Sequence, residues 1–126
     1  MKTYTVLYND CYGSFCISKD AEDLIKEKMF ENIANYNYEL RSNEIIVDVF
    51  NQLGSEKFSG HYAKIKAEEV PVIYDYRIEQ YDGLETVYWM PQKEYLLNLM
   101  RQEDFTKAIE YLEEAGCFLR KDLKEK

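Results

Sequence analysis

Cys11 and His61 are the residues whose types could combine into a nucleophile and its base. Such a dyad needs hydrogen-bond reach between thiol and imidazole and a third group to orient the base. The two lie far apart in the sequence with no local motif around either, so no catalytic residue is assigned and an enzyme using Cys11 ranks last among the readings. Zinc needs about four ligands in paired spacing, whereas Cys11, Cys16, Cys117 and His61 are scattered; no metal and no cofactor are expected. Cys11 and Cys16 flank a short loop rather than forming a Cys-x-x-Cys unit. An odd number of thiols points to a reducing compartment, and the expectation is cytoplasmic.

The second candidate is the loop that begins Asn9-Asp10-Cys11-Tyr12-Gly13 and runs to Ser18. A glycine-containing turn between a strand and a helix can offer backbone N–H groups to an anion at the helix N-terminus. Asn9, Asp10, Cys11, Tyr12 and Gly13 are therefore the candidate ligand-binding residues, and the ligand would be a nucleotide-like small molecule with tyrosine stacked on its base. Against this, Asp10 is negative, Lys19 is the first base after the loop, and one glycine is no phosphate fingerprint. The structural reading is stronger: Asn9 and Asp10 bond their own turn, Gly13 takes positive φ, and Phe15 and Ile17 plug the core.

The third candidate is an acidic surface. The chain carries 16 basic and 24 acidic residues, net −8; residues 93–126 hold 7 and 8 of these, leaving 9 and 16 for residues 1–92. This surplus repels phosphate backbones and attracts basic proteins, so direct nucleic-acid binding is not expected. Carboxylates gather around Glu68–Glu85, and Asp75, Glu79, Tyr81, Asp82, Glu85 and Tyr88 are the candidate partner-binding residues. Tyr12 and Tyr62 are further candidates, since tyrosine is common at interfaces. The plain alternative is the solvated side of a sheet.

The elements that must position these residues follow from periodicity. Residues 3–9 alternate as a strand. Ser18 can cap a helix over 19–34 with Ala21, Leu24, Ile25, Met29 and Ile33 on one side. Ser42 offers a second cap before a helix over 43–53 carrying Ile45, Ile46, Val49, Phe50 and Leu53, and Gly54 suits its C-cap. Residues 55–60 read as a loop and 62–68 as a strand. Asp82-Gly83 predicts a two-residue type I′ turn. That register puts Tyr74, Tyr76, Ile78, Val87 and Trp89 on one face and Asp75, Arg77, Glu79, Thr86 and Tyr88 on the other. Pro91 ends the strand; a helical region over 93–115 follows, slipping near Gln102–Asp104, stopped by Gly116 and trailed by a charged tail.

Together these predict an α+β single domain: a mostly antiparallel sheet with helices packed on one face, in the order β-α-α-β-β-β-α. Residues 1–91 form its core and 92–126 a C-terminal helical extension. The extension's apolar positions suit either the sheet of its own chain or the same helix of a second copy in a homodimer. No segment approaches the roughly 20 apolar residues that span a bilayer, and neither a leader nor membrane association is expected.

Four stretches carry a resemblance: Tyr8-Asn9-Asp10-Cys11-Tyr12-Gly13-Ser14-Phe15; Arg41 to Gly54; Ala63-Lys64-Ile65-Lys66 with Val70-Pro71; and Tyr76 to Gly83. In their order and spacing the chain resembles a family of small uncharacterised phage and prophage proteins. It departs from them at Ser14, where the family has a second glycine, at Val87–Met90, and in the helical region beyond 93. The resemblance implies a host-cell cytoplasmic setting and a site, if any, at residues 9–13. The leading expectation is a non-enzymatic binding protein that antagonises a basic host protein, such as a defence nuclease complex. The alternative is a sponge for a nucleotide-derived signal.

Overall fold

A computed structural model describes residues 2–29, 38–102 and 105–124, with backbone alone for Met29, Tyr38, Glu39 and residues 116–124. The fold is α+β. Its elements are β1 (Thr3–Asn9), α1 (Lys19–Met29), a 3₁₀ helix (Tyr38–Ser42), α2 (Glu44–Leu53), α3 (Ser55–Phe58), β2 (Ile65–Pro71), β3 (Tyr74–Tyr81), β4 (Leu84–Pro91), α4 (Lys93–Arg101) and α5 (Phe105–Lys124). The strands pair as two antiparallel two-stranded sheets, β1 with β2 and β3 with β4, rather than as the one sheet expected.

The residues group into two compact units: Tyr4–Glu69 with Ile78–Val87, and Met1–Thr3 with Val70–Arg77 and Tyr88–Lys126. In the first, Ser18 caps α1 as expected. Its Oγ accepts from the Ala21 N–H at 3.1 Å and donates to the Lys57 carbonyl at 2.6 Å. Leu7 of β1 and Ile65 of β2 meet Ala21 and Ile25 of α1, Ile46, Val47 and Val49 of α2, and Phe58 of α3 in one apolar core. The expected end of α1 at 34, and the core role given to Met29 and Ile33, lie outside the described residues.

Several boundaries differ from expectation for local reasons. Asn43, not Ser42, caps α2: its Oδ1 accepts from the N–H groups of Ile45 and Ile46 at 2.9 and 3.3 Å. Gly54 has φ +82 and ψ 163, which is not the left-handed helical cap geometry, and a short helix follows it where a loop was expected. The strand expected at 62–68 starts at Ile65, because Tyr62 has φ +66 and the Ala63 N–H closes a turn on the Gly60 carbonyl. Asp82 and Gly83 both take positive φ, 50 and 85°, the type I′ pattern read from the sequence. Ile78 and Val87 are buried, and Glu79 and Thr86 on the opposite face are exposed. The C-terminal region is two helices broken after Arg101, and Gly116 lies within α5 rather than ending it.

In the second unit an aromatic stack organises the core. Tyr74 lies parallel to Tyr111 with ring centroids 4.6 Å apart, Tyr95 packs on Tyr111 at 4.7 Å, and Trp89 on Tyr74 at 5.6 Å. The Tyr111 hydroxyl donates to the Ile73 carbonyl at 2.6 Å and accepts from the Gln92 N–H at 2.7 Å. The Tyr74 hydroxyl lies 2.9 Å from both the Tyr111 carbonyl and Glu114 Oε2.

Burial, then the bond to Glu114 and its charge, push the Tyr74 phenol well above its ordinary value; burial also raises that of Tyr111. Since the fold favours the neutral phenol, this contribution is full below the unfolded value of about 10 and is lost as pH rises through the folded one. Stability, followed by chemical denaturation, should decline above roughly pH 10, and Tyr74→Phe should flatten that decline. An identical alkaline profile in the variant would refute the assignment.

Candidate binding site at the loop and hairpin tip

The site is built in the first unit from the end of β1, the loop after it, the turn before β2 and the β3–β4 tip. Asn9 is fully buried. Its Nδ2 donates to the carbonyls of Cys11 at 3.0 Å and Gly83 at 2.9 Å, while its Oδ1 accepts from the Lys64 N–H at 2.9 Å. One side-chain amide thus ties three separate chain segments. The main chains also meet directly. A Cβ on Gly13 would lie 2.1 Å from the Tyr62 carbonyl oxygen, and one on Gly83 would lie 1.0 Å from the Gly13 carbonyl oxygen.

Beneath this contact is a buried ion pair. Arg41 Nη1 and Nη2 donate to Glu85 Oε1 and Oε2 at 2.6 and 2.9 Å, and both side chains are 6% exposed. Glu85 Oε1 also accepts the Asn9 backbone N–H at 2.8 Å. The Arg41 guanidinium lies 3.5 Å from the centroid of the Phe15 ring, a cation–π contact. A cleft of about 480 Å³ opens above, lined by Gly13, Ser14, Phe15, Gln80 and Asp82 over the ion pair.

The expected ligand-binding residues therefore divide. Asn9 has no surface to offer a ligand, and the assignment is corrected: its polar atoms are spent on the fold. Asp10 pairs with Lys66 at 2.6 Å, and this hydrogen bond raises the Lys66 ammonium above its usual value. Cys11 Sγ lies 3.3 Å from the Tyr62 carbonyl and 3.4 Å from Asn9 Oδ1. Tyr12 is exposed and Gly13 lines the cleft; Gly13 does not take the positive φ expected of it, and what requires a glycine there is the close approach of the Tyr62 carbonyl. His61 packs its ring on Tyr62 at 4.1 Å; no hydrogen bond among the described residues joins it to Cys11.

Among the expected partner-binding residues of this unit, Glu79, Tyr81 and Asp82 are exposed. Glu85 is not, and its assignment is corrected: two positions before Val87, it shares the inward face and bonds Arg41. In the other unit Asp75 is exposed, while Tyr88 is half-buried with the Arg77 guanidinium 5.5 Å from its ring centroid. Arg41 was missed as a site residue; the available signal was a lone arginine before α2 and a lone carboxylate at an inward strand position. Cys117 has no described side chain.

What the site displays is aromatic. Tyr12, Tyr62 and Tyr81 are 70, 79 and 73% exposed, and each sits within two residues of the Gly13, Tyr62 and Gly83 backbone contacts. Among the described residues no cluster of three or more His, Cys, Asp or Glu could hold a metal, and no helix is long and apolar enough to cross a membrane. Compared with protein-family models, curated proteins and solved structures, the chain matches none.

Two substitutions test this construction. Glu85→Ala leaves Arg41 buried without its carboxylate and should cost about 3–5 kcal/mol in denaturant unfolding. Asn9→Asp keeps the shape but removes the donor facing two carbonyls, and should cost roughly 2 kcal/mol or more. A loss under about 1 kcal/mol for either would show that the network does not hold the site.

Proposed function

We propose that this chain is a non-catalytic binding protein that docks a basic protein surface through Tyr12, Tyr62 and Tyr81, flanked by Glu79 and Asp82. The observation that carries this reading is the display of three tyrosines, each at least 70% exposed, from segments whose main chains touch. Exposed aromatics lose favourable energy in water unless something covers them, and tyrosine delivers large contact area with few rotatable bonds. The net charge of −8 favours encounter with a basic partner. The resemblance to phage proteins supports a host factor, such as a defence nuclease complex, as that partner.

A nucleotide-like ligand is supported less well. Of the described residues lining the cleft, Arg41 alone is basic and its guanidinium is committed to Glu85, while Asp82 adds negative charge. Phosphate groups find little complement there.

The test is affinity capture from infected host lysate with wild type and with the Tyr12→Ala, Tyr62→Ala, Tyr81→Ala variant. Wild type should retain a basic host protein, and the variant, unchanged in circular dichroism, should bind it at least about tenfold more weakly. Equal retention by both proteins, or no retention by wild type, would reject the reading. A thermal shift with cyclic nucleotides or ADP-ribose derivatives would favour the sponge instead.

A further inference from the structure

The second unit carries an apolar stripe that its own fold does not use. On α5, Phe105, Ile109 and Leu112 are 57, 57 and 43% exposed, whereas Ala108, Tyr111 and Ala115 are buried. The helix therefore packs within its unit through one side and presents a second apolar side outward. The stripe's steps alternate four and three residues, and the sequence continues them through Gly116, Leu119 and Leu123, all within α5. This is the a/d spacing of a two-stranded coiled coil. Twenty residues give a helix about 30 Å long, enough for nearly three heptads.

Charge along the same helix selects the partner. Residues 105–115 hold Lys107 against Glu110, Glu113 and Glu114, net 1 − 3 = −2. Residues 116–124 hold Arg120, Lys121 and Lys124 against Asp122, net 3 − 1 = +2. Side by side in parallel, two copies would oppose like charges. In antiparallel array Glu113, the acidic residue nearest the stripe by helical spacing, meets Arg120 and Lys124 of the other copy, which by spacing flank the stripe in the basic half, and the helix dipoles align favourably as well. Gly116 falls near the centre of that overlap; an interior glycine costs a helix about 1 kcal/mol relative to alanine, and at a crossing its missing side chain lets two backbones approach.

We propose that α5 pairs antiparallel with α5 of a second copy of this chain, forming a two-fold homodimer through the Phe105–Ile109–Leu112 stripe. The contact is isologous, so it closes at two copies.

Sedimentation equilibrium of the full chain across micromolar concentrations should show a mass rising toward twice 15.1 kDa. The Ile109→Glu, Leu112→Glu variant changes only exposed positions; it should keep its circular dichroism and self-associate at least about tenfold more weakly. Zero-length carboxylate–lysine cross-linking of mixed isotope-labelled and unlabelled protein should join Glu110 or Glu113 of one copy to Lys124 of the other. A monomer at every concentration, which would leave the stripe to a different protein, overturns the proposal. So does a variant that dimerises like wild type. A dimer lacking those between-copy cross-links overturns the antiparallel arrangement.

Discussion

The burial of Glu85 is the constraint on which the first unit depends. Removing a carboxylate and a guanidinium from water costs several kcal/mol per ion, and attraction offsets that only when geometry is good and the remaining polar atoms are bonded. Here the geometry is a two-pronged Arg41 contact, a third bond from the Asn9 N–H, and the Phe15 face against the guanidinium. The arrangement exists in one strand register only. A slip of β4 by one residue would send Glu85 to water, bring Thr86 inward and strand Arg41 in the interior. The ion pair adds little net stability as a pair, but it makes the misregistered alternatives expensive.

The same register makes Gly83 serve two ends. Its φ of +85° is what the type I′ turn requires, and its bare Cα is what lets the hairpin tip rest on the Gly13 carbonyl. Gly60 is similarly tight: a Cβ there would lie 2.2 Å from Cys16 Sγ. With main chain against main chain, the segments bearing Tyr12, Tyr62 and Tyr81 cannot shift independently. A partner that covers those rings meets a surface whose backbone is already ordered, so little conformational entropy remains to be lost on binding.

Local chemistry was legible in the sequence; long-range chemistry was not. The Asp82-Gly83 turn, the Ser18 cap and the apolar stripe of α2 are each written within a few residues, and each is present. Helix α3 was missed because four residues with one buried apolar side chain, Phe58, carry no periodicity. Asn9 was read as bonding its own turn, and its bond to the Cys11 carbonyl is that reading. Its remaining bonds reach Lys64 and Gly83, which no local pattern signals. Glu85 was placed outward by composition, as one more carboxylate in an acidic stretch, although its spacing from Val87 already put it inward. Parity along a strand outranked charge.

The groups around the loop also define the surroundings of its thiol, Cys11. A nucleophilic cysteine needs a base to take its proton. The acceptors within reach of Cys11 Sγ are the Tyr62 backbone carbonyl and the Asn9 side-chain amide oxygen, and neither accepts a proton. The Lys66 ammonium is held by Asp10 of the same loop. Carbonyl oxygens such as these offer no complement to a bound phosphate. Those groups suit an approaching cation, and the exposed tyrosine rings beside them present negative faces to a lysine or arginine.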